Sequence, residues 1–140
     1  MADLLSNLRP GEIWHGDGVL HLPDFADVAM LWDALQPVLA AAPFRHLVTP
    51  GGKTMSVSMT NCGAVGWVSD RTGYRYDPLD SLSGRQWPDM PGVFRDVATR
   101  AATAFGAPDF DPDACLINCY EVGARLTAHQ DRDEQDLGQP

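Results

Sequence analysis

Lysine is almost missing from this chain. Nine of its ten strong bases are arginine, and Lys53 stands alone. Glutamate is scarce as well, with aspartate supplying sixteen of the nineteen acids. The net charge is −9 and the pI about 4.6. That balance argues against a protein that binds nucleic acid nonspecifically by neutralising phosphates, although it leaves room for a local site. Cysteine is limited to Cys62, Cys115 and Cys119, an odd number that supports no disulfide framework. Cys115 and Cys119 lie four apart on an expected strand and share a face, which reads as a pair of buried structural thiols. No apolar run approaches a membrane span, and the start, Met1-Ala-Asp-Leu-Leu-Ser, has neither the basic residues nor the long apolar stretch of a signal peptide. A reducing, cytoplasmic location is the expectation. Repeats and low-complexity tracts are lacking too. What remains is a 140-residue chain, 44% apolar, with four Trp, three Tyr and five Phe, enough for the core of one domain.

The order of elements reads strand, helix, Gly-rich ribbon, helix, paired strands, an α+β pattern. Residues 1–17 are polar and broken by Pro10 and Gly11, with Ile13 and Trp14 expected against the body. Gly18 to Leu22 is a short strand, and His21 lies on its face. His15 has no nameable partner. Asp24 or Asp27 caps a helix to about Ala42, whose stripe is Val28, Leu31, Trp32, Leu35 and Leu39; Pro37 should kink or split it. Arg45 to Gly52 reads as loop. Thr54 to Thr60 alternates as a half-buried strand with Met55, Val57 and Met59 on one side, either core filler or the wall of a site. Asn61 to Gly63 reads as a turn. Trp67, Tyr74 and Tyr76 follow in a Gly-punctuated segment with Arg71 and Arg75. They are either buried loop aromatics or a stacking surface beside phosphate-holding bases. Asp77 to Asp89 is a connector. Pro91 opens a second helix with the stripe Phe94, Val97, Ala98, Ala101 and Phe105, and Gly106 ends it.

The chemistry gathers in the last third. Cys115 to Tyr120 reads as a strand with Leu116, Asn118 and Tyr120 on one face. After a turn at Gly123, Arg125 to Asp131 reads as a second strand with Thr127, His129 and Asp131 on one face. His129 and Asp131, at i and i+2, can converge an imidazole nitrogen and a carboxylate oxygen on one point. These are two of the three ligands of the 2-His-1-carboxylate triad that holds non-heme Fe(II). An exposed polar pair would look the same in sequence.

Several stretches together resemble the AlkB family of Fe(II)/2-oxoglutarate dioxygenases. They are Phe44-Arg-His-Leu-Val-Thr-Pro-Gly-Gly52, Thr54-Met-Ser-Val-Ser-Met-Thr-Asn-Cys-Gly63, Gly66-Trp67 and Arg71-Thr-Gly-Tyr-Arg-Tyr76. Two more are Pro108-Asp-Phe-Asp-Pro-Asp-Ala-Cys-Leu-Ile-Asn118 with Tyr120, and Gly123-Ala-Arg-Leu-Thr-Ala-His-Gln-Asp-Arg-Asp-Glu134. The resemblance implies a double-stranded β-helix, or jelly roll, with an N-terminal nucleotide-recognition lid. Residues 1–89 would form the N-terminal extension and lid, and 90–140 a helix and the first jelly-roll strands of an incomplete single domain. It implies Fe(II) held by His129 and Asp131, and 2-oxoglutarate lined by Leu116, Asn118 and Tyr120. A flipped-out base would be enclosed by Met59, Trp67 and His129, with Asp133 and Glu134 at its polar edge. Thr49, Met55, Tyr74, Arg125 and Gln130 would touch the nucleotide or its phosphates. The implied activity is oxidative dealkylation of bases such as 1-methyladenine and 3-methylcytosine in single-stranded DNA or RNA, a repair reaction, by a monomer with no membrane partner. The family's second histidine ligand and its 2-oxoglutarate-clamping arginines are expected beyond Pro140. The alternative is therefore a non-catalytic fragment or nucleotide-binding remnant.

Overall fold

The computed structural model describes residues 11–134 and 136–138; the polar stretch expected over residues 1–10 lies outside the described residues. The elements are β1 (Ile13–Trp14), β2 (Leu20–His21), α1 (Val28–Ala41), β3 (Arg45–Val48), β4 (Thr54–Gly63), β5 (Gly66–Asp70), β6 (Gly73–Asp77), α2 (Gly92–Phe105) and β7 (Ala114–Cys119). Every strand pairing is antiparallel. β4 is the centre of a three-stranded sheet ordered β3-β4-β7, and β5 and β6 form a separate hairpin that packs on it through β5.

β4 decides the layout. Its first residues alternate as expected, but from Val57 to Cys62 every side chain is buried. A strand with neighbours on both edges and layers on both faces has no solvated side. The odd-numbered residues meet the hairpin: Leu47, Val57 and Met59 form a core cluster against which Met55 and Trp67 pack. On the even-numbered side, the Thr60 hydroxyl donates to the carbonyl of Ala42, just past the end of α1, at 2.7 Å. That contact gives a buried hydroxyl its partner and ties the helix to the sheet.

Six expectations need correction. Arg45 to Val48 is a strand, because pairing with β4 supplies the ladder that its own sequence does not announce. Asn61 to Gly63 continues β4, since β7 pairs through to Gly63↔Ala114. The Gly-punctuated aromatic segment is a regular hairpin with Trp67 opposite Tyr76 and Ser69 opposite Tyr74. Gly66 has a packing reason: a Cβ there would lie 2.5 Å from the buried Trp87 ring. α1 runs unsplit through Pro37, and the Gln36 side-chain amide donates to the Trp32 carbonyl one turn back at 3.1 Å. Its buried side is centred on Val38, leaving Val28 and Trp32 exposed at 76% and 61%. Finally, Arg125 to Asp131 forms no strand. This segment is tied to β4 by a side chain rather than a ladder: the Ser56 hydroxyl accepts from Arg125 N at 3.2 Å and donates to Arg125 O at 3.1 Å. A hydroxyl stands where a backbone ladder would be needed.

Cys115 and Cys119 are half-buried rather than buried, and the residue α2 buries is Ala102, with Phe105 of the expected stripe exposed; the helix caps follow the pattern. Asp27 caps α1, its carboxylate accepting from Met30 N at 3.1 Å. Gly106, at φ +104°, closes α2 in the left-handed conformation. Trp14 stacks on Phe105 with ring centroids 5.4 Å apart, and His15 gains a partner in the His21 ring at 6.3 Å.

Candidate active site

The site begins with a clamp on Trp67. Buried Asn61 accepts from Trp67 N and donates to Trp67 O, both at 3.0 Å. One amide thus fixes the backbone of β5 against β4. On the hairpin, Trp67, Tyr74 and Tyr76 share a face, by strand parity and register. Trp67 and Tyr74 stack with centroids 5.4 Å apart and planes 17° apart. Met59, only 1% exposed, lies in the core cluster that backs Trp67.

Asp133 and Glu134 meet this aromatic face. The indole Nε1 of Trp67 donates to Asp133 Oδ2 at 3.0 Å, and the Tyr76 hydroxyl donates to Glu134 Oε1 at 2.9 Å. Burial, then the bond to Glu134 and its negative charge, push the Tyr76 phenol well above its usual range, so it remains a donor. The other oxygen, Glu134 Oε2, is buried without a donor.

His129 and Asp131 lie just upstream. His129 Nδ1 is 2.9 Å from the Thr127 carbonyl. A carbonyl can only accept, so the proton of that contact is on Nδ1, and in the neutral ring Nε2 carries the lone pair. Nε2 is 3.6 Å from Asp131 Oδ1. Two acceptors facing each other at that distance suit a cation between them, and the outward Nδ1–H bond to a carbonyl is how metal-ligating histidines are commonly oriented. Both side chains are open to solvent. Among the described residues, no cluster of three or more His, Cys, Asp or Glu side chains could hold a metal.

The strand β7 adds a second surface. Its register sets Asn118 beside Met59 and Leu116 beside Asn61, so Leu116 and Asn118 lie on the sheet face that carries Trp67. Leu116 and Tyr120 are 40% and 54% exposed, and Asn118 Oδ1 is buried without a donor. Ala124 and Leu126 pack on the Met59 cluster from the same side. Arg125 and Gln130 are exposed. Thr49 lies in the turn before β4, its hydroxyl accepting from Lys53 N at 3.1 Å. In that turn Gly52, at φ +89°, is overlain by the guanidinium of Arg71. Arg75 is occupied: it pairs with Asp70 and Asp77 at 3.0 and 3.3 Å. Asn61 is not among the sequence candidates, and Tyr76 is there only as a stacking aromatic, not as the donor to Glu134. Tyr76 shares the strand parity of Tyr74, and that period-2 signal was hidden by reading the segment as loop.

Residues 18–140 match the 2OG-Fe(II) oxygenase superfamily. The chain belongs to this superfamily. Its cofactors are Fe(II) and 2-oxoglutarate, and the AlkB resemblance read from the motifs is borne out. The alpha-ketoglutarate-dependent dioxygenase AlkB of Escherichia coli K12 is 49% identical over the whole chain, which spans 66% of that protein. The AlkB homolog of Caulobacter vibrioides is 44% identical over 81% of the chain, matching 51% of its own length. The solved structure of OsALKBH1, 23% identical, superposes on 91% of this chain and 60% of its own with a TM-score of 0.60, a likeness of fold. No helix among the described residues is long and apolar enough to cross a membrane.

The donor set fits the family's metal. An imidazole nitrogen and a carboxylate oxygen are the ligand types that a non-heme Fe(II) oxygenase uses. The unpartnered Asn118 oxygen, on the sheet face that carries Trp67, marks a place where a polar ligand would satisfy a buried acceptor.

Proposed function

We propose that this chain carries the base-recognition and iron-binding half of an oxidative nucleic-acid dealkylase that uses Fe(II), O2 and 2-oxoglutarate. The observation that carries this reading is the lone-pair side of His129 turned to Asp131 at 3.6 Å, directly upstream of carboxylates bonded to Trp67 and Tyr76. His129 and Asp131 would hold the iron. Leu116, Asn118 and Tyr120 would line the 2-oxoglutarate site. When bound, iron and 2-oxoglutarate supply the oxidation of the N-alkyl carbon, whose hydroxylated group leaves as an aldehyde.

The chain's own residues do the rest. Trp67 and Tyr74 offer an offset two-ring surface for a base taken out of its stack. Met59 backs that surface from the core, and the His129 ring would close the opposite side. Asp133 and Glu134 sit at its rim, and the unpartnered Glu134 Oε2 can accept from an exocyclic amine. Tyr76 holds Glu134 in place through its other oxygen. Thr49, Met55, Arg125 and Gln130 would meet the nucleotide and its phosphates. In this reading residues 1–89 supply the extension and lid, with the β5–β6 hairpin as the lid's working face, and β7 begins the jelly roll.

The test is formaldehyde release from oligonucleotides carrying 1-methyladenine or 3-methylcytosine, by the protein extended to the length of its relatives. Turnover requiring both Fe(II) and 2-oxoglutarate is expected; none under those conditions would remove the proposal. A second reading is nucleotide binding without catalysis. It is favoured by the Trp67–Tyr74 stack, which needs no metal to receive a base. It predicts fluorescence quenching by methylated oligonucleotides that is independent of iron and lost in Trp67→Phe.

A further inference from the structure

Two thiols outside this site face each other across the central ladder. Cys62 on β4 and Cys115 on β7 are register partners. Cys62 is fully buried and Cys115 half-buried. Directly opposite residues of an antiparallel pair hold their Cα atoms about 4.5–5.5 Å apart, inside the range of about 4.4–6.8 Å that a disulfide spans. As directly opposite residues, the two side chains share a sheet face. Cys119, four residues on from Cys115, is opposite Ser58 instead.

We propose that Cys62 and Cys115 form a redox-active cross-strand pair, closed to a disulfide by hydrogen peroxide and reopened by thiol reductants. The roles are unequal. The hydrogen bond to Cys115, then burial, push the Cys62 thiol far up, so it keeps its proton and donates. The same bond, outweighing burial, pulls Cys115 down. Cys115 is also the half-buried and so the more accessible of the two thiols, which makes it the attacking sulfur. It takes one peroxide oxygen to become a sulfenic acid, and the other oxygen leaves as water after protonation. The Cys62 sulfur then displaces the sulfenic hydroxyl, which leaves as a second water with the Cys62 proton. In sum, two thiols lose two protons and two electrons, and one peroxide becomes two waters.

The position gives access and consequence. The pair is one rung from the end of the ladder, where Gly63 faces Ala114, and ladder ends open more readily than their middles. On its other side the next rung is Asn61↔Leu116, and Asn61 is the clamp on Trp67. Oxidation would thus lock the sheet beside the aromatic platform.

The test uses the full chain, treated with hydrogen peroxide, alkylated at its remaining thiols and digested without reduction. Mass spectrometry should find the Cys62 and Cys115 peptides joined with loss of two hydrogens, Cys119 alkylated, and the link reversed by dithiothreitol. The Cys119→Ser protein should form the same link, and Cys62→Ser should carry Cys115 on to sulfinic acid. A bond between Cys115 and Cys119, or a Cys62 that stays fully alkylatable in excess peroxide, would overturn the proposal.

Discussion

At the scale of single residues, much rests on Asn61. Its amide both accepts from and donates to the backbone of Trp67 in a buried setting. Replacing it with alanine removes two hydrogen bonds and leaves their partners unpaired, a loss of about 2 kcal/mol. Urea unfolding of Asn61→Ala should show that loss, and an unchanged midpoint would mean that other contacts hold Trp67. This role was not legible in the sequence. Asn61-Cys-Gly63 has the composition of a turn, and only the pairing of β7 with β4 makes it a strand. His129 and Asp131 are the opposite case. Their spacing suits two residues on one face of a strand, and no strand forms over Arg125 to Asp131. The convergence exists nonetheless, through an irregular backbone whose Thr127 carbonyl fixes the ring. The spacing was informative, but the reason attached to it was not the physical cause.

Among the elements, the connector between β6 and α2 does more than link. It returns the carboxylate of Asp80 to Arg45 on β3, a two-pronged pair at 2.6 and 3.0 Å with both side chains largely buried. Burial, the largest single influence, would raise the Asp80 carboxyl, but the hydrogen bonds from Arg45, Leu82 N and Ser83 together with the Arg45 charge outweigh it, and the net shift is down. A carboxyl depressed on folding adds stability that is complete above its unfolded range, near 4, and lost as pH falls through its lower folded value. Asp80→Asn should therefore cost about 3 kcal/mol at neutral pH, and the deficit should shrink as pH falls below 4. Thermal melts against pH check this; a deficit that stays constant into acid would contradict it. Amphipathic helices and the alternating start of β4 were legible because periodicity is local. β3, the β5–β6 hairpin and the burial of Trp87 and Asp80 were not, because each depends on a partner distant in sequence.

For the molecule as a whole, the charge of −9 sets the terms of binding. A nucleic-acid ligand must be held by stacking and a few local bases, since the field repels phosphate. Of the three arginines singled out for the nucleotide or its phosphates, Arg75 is consumed by Asp70 and Asp77, which leaves Arg71 over the Gly52 turn and the exposed Arg125. Two phosphate contacts give a slope of log K against log salt of about −1.4 for a single strand. Titration of a methylated oligonucleotide at several salt concentrations measures it, and a slope several times steeper would show a basic surface that this reading lacks.

The central claim is that His129 and Asp131 take one divalent ion between them. The most direct measurement is electron paramagnetic resonance of Mn(II), a spin-active stand-in for Fe(II), titrated under argon with 2-oxoglutarate present, on the protein extended to the length of its relatives. The account predicts that the free-ion signal is quenched until one ion is bound per chain. It also predicts that His129→Ala and Asp131→Ala each abolish the quenching while circular dichroism stays unchanged. Undiminished Mn(II) binding by the folded Asp131→Ala protein would contradict it.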